Sequence, residues 1–170
     1  MSEFEFSILP LVKQKRADFD CGNESLNHYI KSLASQHIKQ NVSRTYIAVA
    51  DNEPDKVLGF YSLSSAEIDF DQVDDLLPKR FPPHYPVPVA RLGRLAVDNK
   101  VTGQGVGGAL LINALYRCYK ISQEMAMIGV IVDAKDETAK AFYLKHGFSH
   151  LTDQPLTVFI LMKTIEGMFD

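Results

Sequence analysis

An apolar run from Val89 to Val97 leads through Asp98–Thr102 into a loop with glycine at positions 103, 105, 107 and 108. From Gly105 to Ser122 the apolar residues Val106, Leu110, Leu111, Ala114, Leu115 and Ile121 recur at helical spacing. The order is strand, glycine loop, helix. Glycine lets a backbone come close to a ligand, and a helix N-terminus presents unpaired N–H groups at the positive end of a dipole. A chain built this way must stack a helix on a sheet, and at the juncture it offers a seat for phosphate.

Two familiar phosphate loops do not fit. A Walker loop ends in Gly-Lys-Ser/Thr, whereas this one ends Gly107-Gly108-Ala109, with neither lysine nor hydroxyl. Gly103, Gly105 and Gly108 satisfy the dinucleotide pattern Gly-x-Gly-x-x-Gly literally. That fingerprint follows its strand tightly, however, and here Asp98–Thr102 intervenes and the acidic residue Asp133 falls farther along.

Around this juncture the spacing predicts a strand over 5–9 and a helix capped by Asn23 or Ser25 and running to about Lys39. Strands follow over 45–50 and 56–64, joined by a hairpin loop at 51–55. A short helix over 70–77 precedes Pro78–Pro88, where five prolines bar both helix and central strand and imply an ordered loop or flap. A strand over 126–132, a helix over 136–145 closed by His146-Gly147, and a last strand over 157–163 complete the chain. The expected fold is α/β: residues 1–170 as one domain, with a mixed central sheet and helices on both faces.

Lysine and arginine number 18 against 21 aspartates and glutamates, a formal charge of −3. Nothing in that balance drives the whole molecule toward nucleic acid, so phosphate contacts must be local. The local cations are Lys13, Lys15 and Arg16; Lys39 and Arg44; Lys79 and Arg80; Arg91 and Arg94. Cys21 and Cys118 lack metal-type spacing, and the five histidines form no ligand pattern, so no metal is expected. The acidic start has no signal-peptide core and the longest apolar runs are too short to span a bilayer. The expected setting is cytoplasmic, with no membrane role.

Thr102-Gly103-Gln104-Gly105-Val106-Gly107 resembles the pyrophosphate motif Arg/Gln-x-x-Gly-x-Gly/Ala of the GNAT superfamily of acyl-CoA N-acyltransferases, with threonine in the first position. A second match follows at the right distance. Asp136 to Phe148 resembles the later GNAT pattern Asn-x-x-Ala-x-x-Phe/Leu-Tyr-x-x-x-Gly-Phe, with aspartate for the first asparagine. The resemblance implies acetyl-CoA as acyl donor. It assigns the pyrophosphate to Gly103, Gln104, Gly105, Val106, Gly107 and Gly108, and the pantetheine arm to backbone groups of Leu95, Ala96 and Val97, with Asp136 also on the cofactor side. It makes Tyr143 the general acid that protonates the departing thiolate. From periodicity alone Tyr143 reads as a core aromatic beside Phe142. A phenol suits the acid role, because its reference pKa of about 10 lies above the ~8.5 of a thiol.

No general base is evident. Glu67, Asp69 and Asp98 are the carboxylates to consider, each with a surface or turn reading beside it. A lysine amine at ~10.4 is mostly charged at neutral pH, whereas an α-amine near 7.7–8.0 is already partly neutral. An α-amine acceptor therefore fits best.

The N-terminal half narrows the resemblance. Phe19-Asp20-Cys21-Gly22 followed by Leu26-Asn27, then Ser43-Arg44-Thr45-Tyr46 and Leu92-Gly93-Arg94-Leu95-Ala96-Val97-Asp98, is similar to the toxin-type branch of GNATs. That branch implies acetylation of the α-amine of aminoacyl-tRNA, a ribbon-helix-helix antitoxin as partner, and often a homodimer. Arg91, Arg94, Lys39, Arg44 and Lys79 then become candidate contacts to substrate phosphate. Two alternatives stay open: a GNAT acetylating a small amine, peptide or protein, and a non-catalytic CoA-binding regulatory or interaction module.

Overall fold

Asn23 starts the first helical segment as its spacing predicts. Its side chain accepts the Leu26 N–H at 3.0 Å, which satisfies one of the donors that a helix start leaves free. The computed structural model describes residues 4–79, 81–83, 85–151 and 153–170. From Asn23 the chain runs as α1 (Glu24–His28), a π-helical turn (Tyr29–Leu33) and α2 (Ala34–Lys39). It ends at Asn41, whose φ of 57° is the left-handed conformation common just past a helix.

The strands are β1 (Phe6–Pro10), β2 (Arg44–Ala50), β3 (Glu53–Ile68), β4 (Val87–Val97), β5 (Gly129–Asp133), β6 (Ser149–Leu151) and β7 (Gln154–Leu161). They form one mixed sheet in the order β1-β2-β3-β4-β5-β7-β6. β4 and β5 are parallel, while β1–β2, β2–β3, β5–β7 and β6–β7 are antiparallel. The remaining helices are α3 (Phe70–Val73), α4 (Val106–Ser122), α5 (Glu137–Lys145) and α6 (Met162–Phe169).

The chain divides into two compact units, one of residues up to Ser64 with Gly93–Ala114, the other of Ser65–Leu92 with Leu115–Asp170. The first has a core of Phe19, Tyr29, Ile30, Ile47, Phe60 and Ala96, with Phe60 edge-on to Phe19 and stacked on Tyr29. The second packs Ile68, Val73, Val87, Val89, Ile131 and Phe159 together.

Several boundaries differ from the spacing, each for a physical reason. β3 begins at Glu53 rather than Lys56, because the hairpin turns on Asp51-Asn52 alone. Pro54 is tolerated there because the β2–β3 register slips between Val49↔Val57 and Ala50↔Glu53, so it falls in an irregular stretch of the ladder. β4 likewise starts two residues early, with exposed Pro88 near its beginning. The rest of the proline segment contains turns, with Phe81 N–H on the Pro78 carbonyl and Tyr85 N–H on that of Pro82. Arg80 lies outside the described residues. The last strand stops at Leu161, and Met162 opens α6 with Met162 and Ile165 turned into the core.

Among the described residues no helix is long and apolar enough to cross a membrane. Both cysteines are free thiols. Cys118 is buried in α4, and burial pushes its thiol up to about 12. Cys21 is half-buried, with its Sγ near the Asn23 carbonyl. Because the thiolate is the reactive form, iodoacetamide at pH 8 should add to Cys21 alone in the native protein and reach Cys118 only after unfolding. Intact mass and peptide mapping read the result, and native labelling of Cys118 would contradict this packing.

Candidate active site

The glycine juncture is built as its sequence requires. After β4, Asp98 caps a short 3-10 turn (Asn99–Val101) by accepting the Lys100 N–H at 2.8 Å. The Thr102 hydroxyl lies 3.5 Å from the Asp98 carbonyl. Gly103 and Gly105 then take φ values of +82° and +84°, a region L side chains rarely enter. A Cβ built on either would meet nothing within 4 Å, so these glycines serve the backbone path and leave open space beside it. The first bond of α4 runs from the Ala109 N–H to the Gly105 carbonyl at 3.1 Å. The N–H groups of Val106, Gly107 and Gly108 precede it at the positive end of the α4 dipole. Donors, dipole and room together fit a pyrophosphate.

The strand feeding this loop also has free backbone. The β4–β5 ladder pairs Val89 with Gly129, Ala90 with Val130 and Arg91 with Ile131, and among the described residues it extends no further. β4 itself continues through Leu95, Ala96 and Val97, whose edge on that side β5 no longer covers.

In the other unit, Asp136 caps α5 by accepting the Ala139 N–H at 2.8 Å. Asparagine would make the same bond, so the departure from the motif preserves the helix start. Asp136→Asn should leave the melting temperature nearly unchanged, while Asp136→Ala should cost about 1 kcal/mol in denaturant unfolding. Equal stability of the two variants would show that the cap carries no weight. Tyr143 lies on α5, is 5% exposed, and packs edge-on against Phe142 and Phe148. Burial raises its phenol pKa well above the ordinary value, so the hydroxyl keeps its proton at neutral pH.

Two of the three carboxylates considered as bases are held in caps. Buried Asp98 accepts the N–H groups of both Lys100 and Asp20, and so ties the turn to the segment before α1. Asp69 forms a capping box with Gln72 at α3. Glu67 is exposed on β3.

Of the candidate substrate cations Lys79 is exposed, and the others differ in what holds them. Arg91 pairs with Asp133 at 2.6 Å, and Asp133 also accepts the Thr157 hydroxyl; this is the acid the dinucleotide reading needed free. Arg44 donates to the Ile38 carbonyl and to Asn41 Oδ1, closing the end of α2, and exposed Lys39 lies in the last turn of that helix. Arg94 lies with its Cζ 3.9 Å from the centroid of the Tyr29 ring. Tyr29 reads in sequence as one more apolar position of a helix, and no spacing signal could have paired it with Arg94. Among the described residues no group of three or more His, Cys, Asp or Glu is placed to hold a metal ion.

A strand with an uncovered edge, a left-handed glycine loop and an open helix N-terminus define an α/β protein with a seat for a pyrophosphate-bearing cofactor. The acetyltransferase (GNAT) domain family matches residues 42–150, and the chain belongs to it: it is an acyl-CoA-dependent N-acetyltransferase. It is 33% identical over 150 residues to a tRNA-acetylating toxin of Mycobacterium tuberculosis, covering 88% of this chain and 87% of that one. It is 27% identical to a probable toxin TacT of Sinorhizobium fredii, over 92% and 90% of the two chains. Among solved structures, a tyrosine-to-phenylalanine mutant of KacT superposes with a TM-score of 0.88 at 30% identity, over 96% and 99% of the chains. AtaT complexed with acetyl-methionyl-tRNAfMet gives 0.87 at 28%, over 98% and 100%. An AtaT mutant of the same tyrosine-to-phenylalanine kind, bound to acetyl-CoA and the C-terminus of the antitoxin AtaR, gives 0.82 at 26%, over 96% and 98%.

Proposed function

We propose that this chain, acting as one acetyltransferase domain, moves an acetyl group from acetyl-CoA to the α-amine of an aminoacyl-tRNA. The observation that carries the donor half is the run from Leu95 to Gly108, where an uncovered strand edge passes into an open glycine loop and a helix N-terminus. Its backbone groups hold the pantetheine arm and the pyrophosphate. The acceptor half is supported by the likeness to a tRNA-acetylating toxin and to AtaT solved with acetyl-methionyl-tRNAfMet. It is supported too by chemistry: with Asp98 and Asp69 engaged as caps, an amine that is already partly neutral suits the site.

The neutral nitrogen attacks the thioester carbonyl carbon, and the C–N bond forms as the C–S bond breaks. The Tyr143 hydroxyl gives its proton to the leaving sulfur, and the proton shed by the nitrogen returns to the phenolate through solvent. By the same likeness, the protein partner is a small antitoxin, as AtaT is solved with the C-terminus of AtaR.

The test is transfer of labelled acetyl from acetyl-CoA to bulk charged tRNA. Label should enter charged tRNA, come off in mild alkali, and stay out of deacylated tRNA. A protein that binds acetyl-CoA yet labels only small amines or peptides would overturn the acceptor.

A further inference from the structure

Tyr29 opens the π-helical turn between α1 and α2, a local insertion of the kind often found at functional sites. It is 1% exposed, and its hydroxyl hydrogen-bonds with Thr45 at 2.8 Å and Ser43 at 3.0 Å. Ser43 lies in turn 3.4 Å from His37 Nδ1. Phe60 stacks on the ring, and so the ring is fixed from several directions. Onto this fixed ring Arg94 lays its guanidinium, within the range of a cation–π contact. Among the described residues no ion pair or hydrogen bond engages the N–H donors of Arg94. Arg91 and Arg44, by contrast, are held by Asp133 and by the end of α2.

We propose that Arg94 is the receptor for a backbone phosphate of the acceptor RNA, and that Tyr29 is the positioning residue that holds it ready. This rests on the reading of the acceptor as charged tRNA. The direction along β4 selects acceptor over cofactor. The glycine loop follows β4, so acetyl-CoA lies from that loop back toward Leu95–Val97. Arg94 precedes that segment on β4, on the side away from the glycine loop, and so lies outside the run assigned to the cofactor. Residues alternate faces along a strand, so Arg94 shares its face with Ala96, which is packed in the core containing Tyr29. A planar guanidinium already ordered on a ring loses little freedom on gripping a phosphate with two parallel hydrogen bonds.

The experiment measures steady-state acetylation of charged tRNA against salt, for the full chain and for Arg94→Gln, Arg94→Lys and Tyr29→Phe. Arg94→Gln should raise KM for charged tRNA about tenfold and shrink the slope of log KM against log salt by about 0.7–0.9, one phosphate contact. KM for acetyl-CoA should stay as it is. Arg94→Lys should keep the slope, since the charge remains, while still raising KM through loss of the planar fork. Tyr29→Phe, which keeps the ring and loses the hydroxyl anchor, should also keep the slope and raise KM; a merely structural role would not sort the variants this way. If the wild-type chain labels no charged tRNA, the acceptor reading falls and takes this inference with it. If it does label charged tRNA and Arg94→Gln keeps both slope and KM, this inference alone is overturned.

Discussion

Tyr143→Phe should lower the rate of acetyl transfer by about a hundredfold to ten-thousandfold, the usual range for removing a positioned proton donor. Acetyl-CoA should bind as before, because the groups proposed to hold it are backbone N–H and C=O around Leu95–Val97 and Gly103–Gly108. The substitution deletes one oxygen from a ring packed between Phe142 and Phe148, so folding should survive it. The pH profile adds a sharper check. Burial raises the Tyr143 pKa, so the phenol stays protonated through the ordinary phenol range near 10. Activity should therefore climb as the acceptor amine loses its proton, with no tyrosine limb turning it down near pH 10. Turnover by Tyr143→Phe within threefold of wild type, with normal acetyl-CoA binding, would require another acid.

What could be read from the chain and what could not divide by range of interaction. The Asn23 cap, the glycine loop and the α5 start are local: the residue that makes each bond lies within a few positions of its partner. Their residue types announce them. Asp98 is different. It looks like a free acid after a strand, yet one of its oxygens accepts the N–H of Asp20, 78 positions away, and that bond, with its Lys100 contact, ties it into the turn. Arg91 reads as a lone cation on a strand, and its ion-pair partner Asp133 lies 42 positions on. Arg94 and Tyr29 meet only because β4 and the first helix share a core. β6 is three residues long, too short for periodicity to register. α6 was hidden because Leu161-Met162-Lys163 reads as the tail of an apolar strand, whereas the chain turns helical at Met162.

Gly129 shows the same long-range logic in packing, and Gly129→Ala should be the most damaging small substitution in the second unit. Gly129 pairs with Val89 of β4 on one side and with Leu161 of β7 on the other. A Cβ there would stand 2.2 Å from the Ile160 carbonyl oxygen and 2.7 Å from Phe159 Cζ. The oxygen belongs to backbone and cannot swing aside. Phe159 is 1% exposed, packed among Val87, Val89 and Ile131. Relief must come from parting β5 and β7, at a cost of about 3 kcal/mol, the upper end of ordinary overpacking. For a chain of this size that lowers the melting temperature by about 6–12 °C. Gly167→Ala is the natural control: it lies within α6, a Cβ there meets nothing within 4 Å, and alanine favours a helix over glycine by about 0.8–1.0 kcal/mol. Thermal unfolding followed by circular dichroism should move the two variants in opposite directions. α5 packs against β7 and carries Tyr143, so Gly129→Ala should also lose acetyl transfer at temperatures where it is still folded. A Gly129→Ala protein that melts within 2 °C of wild type would mean the β5–β7 contact yields far more easily than its geometry allows.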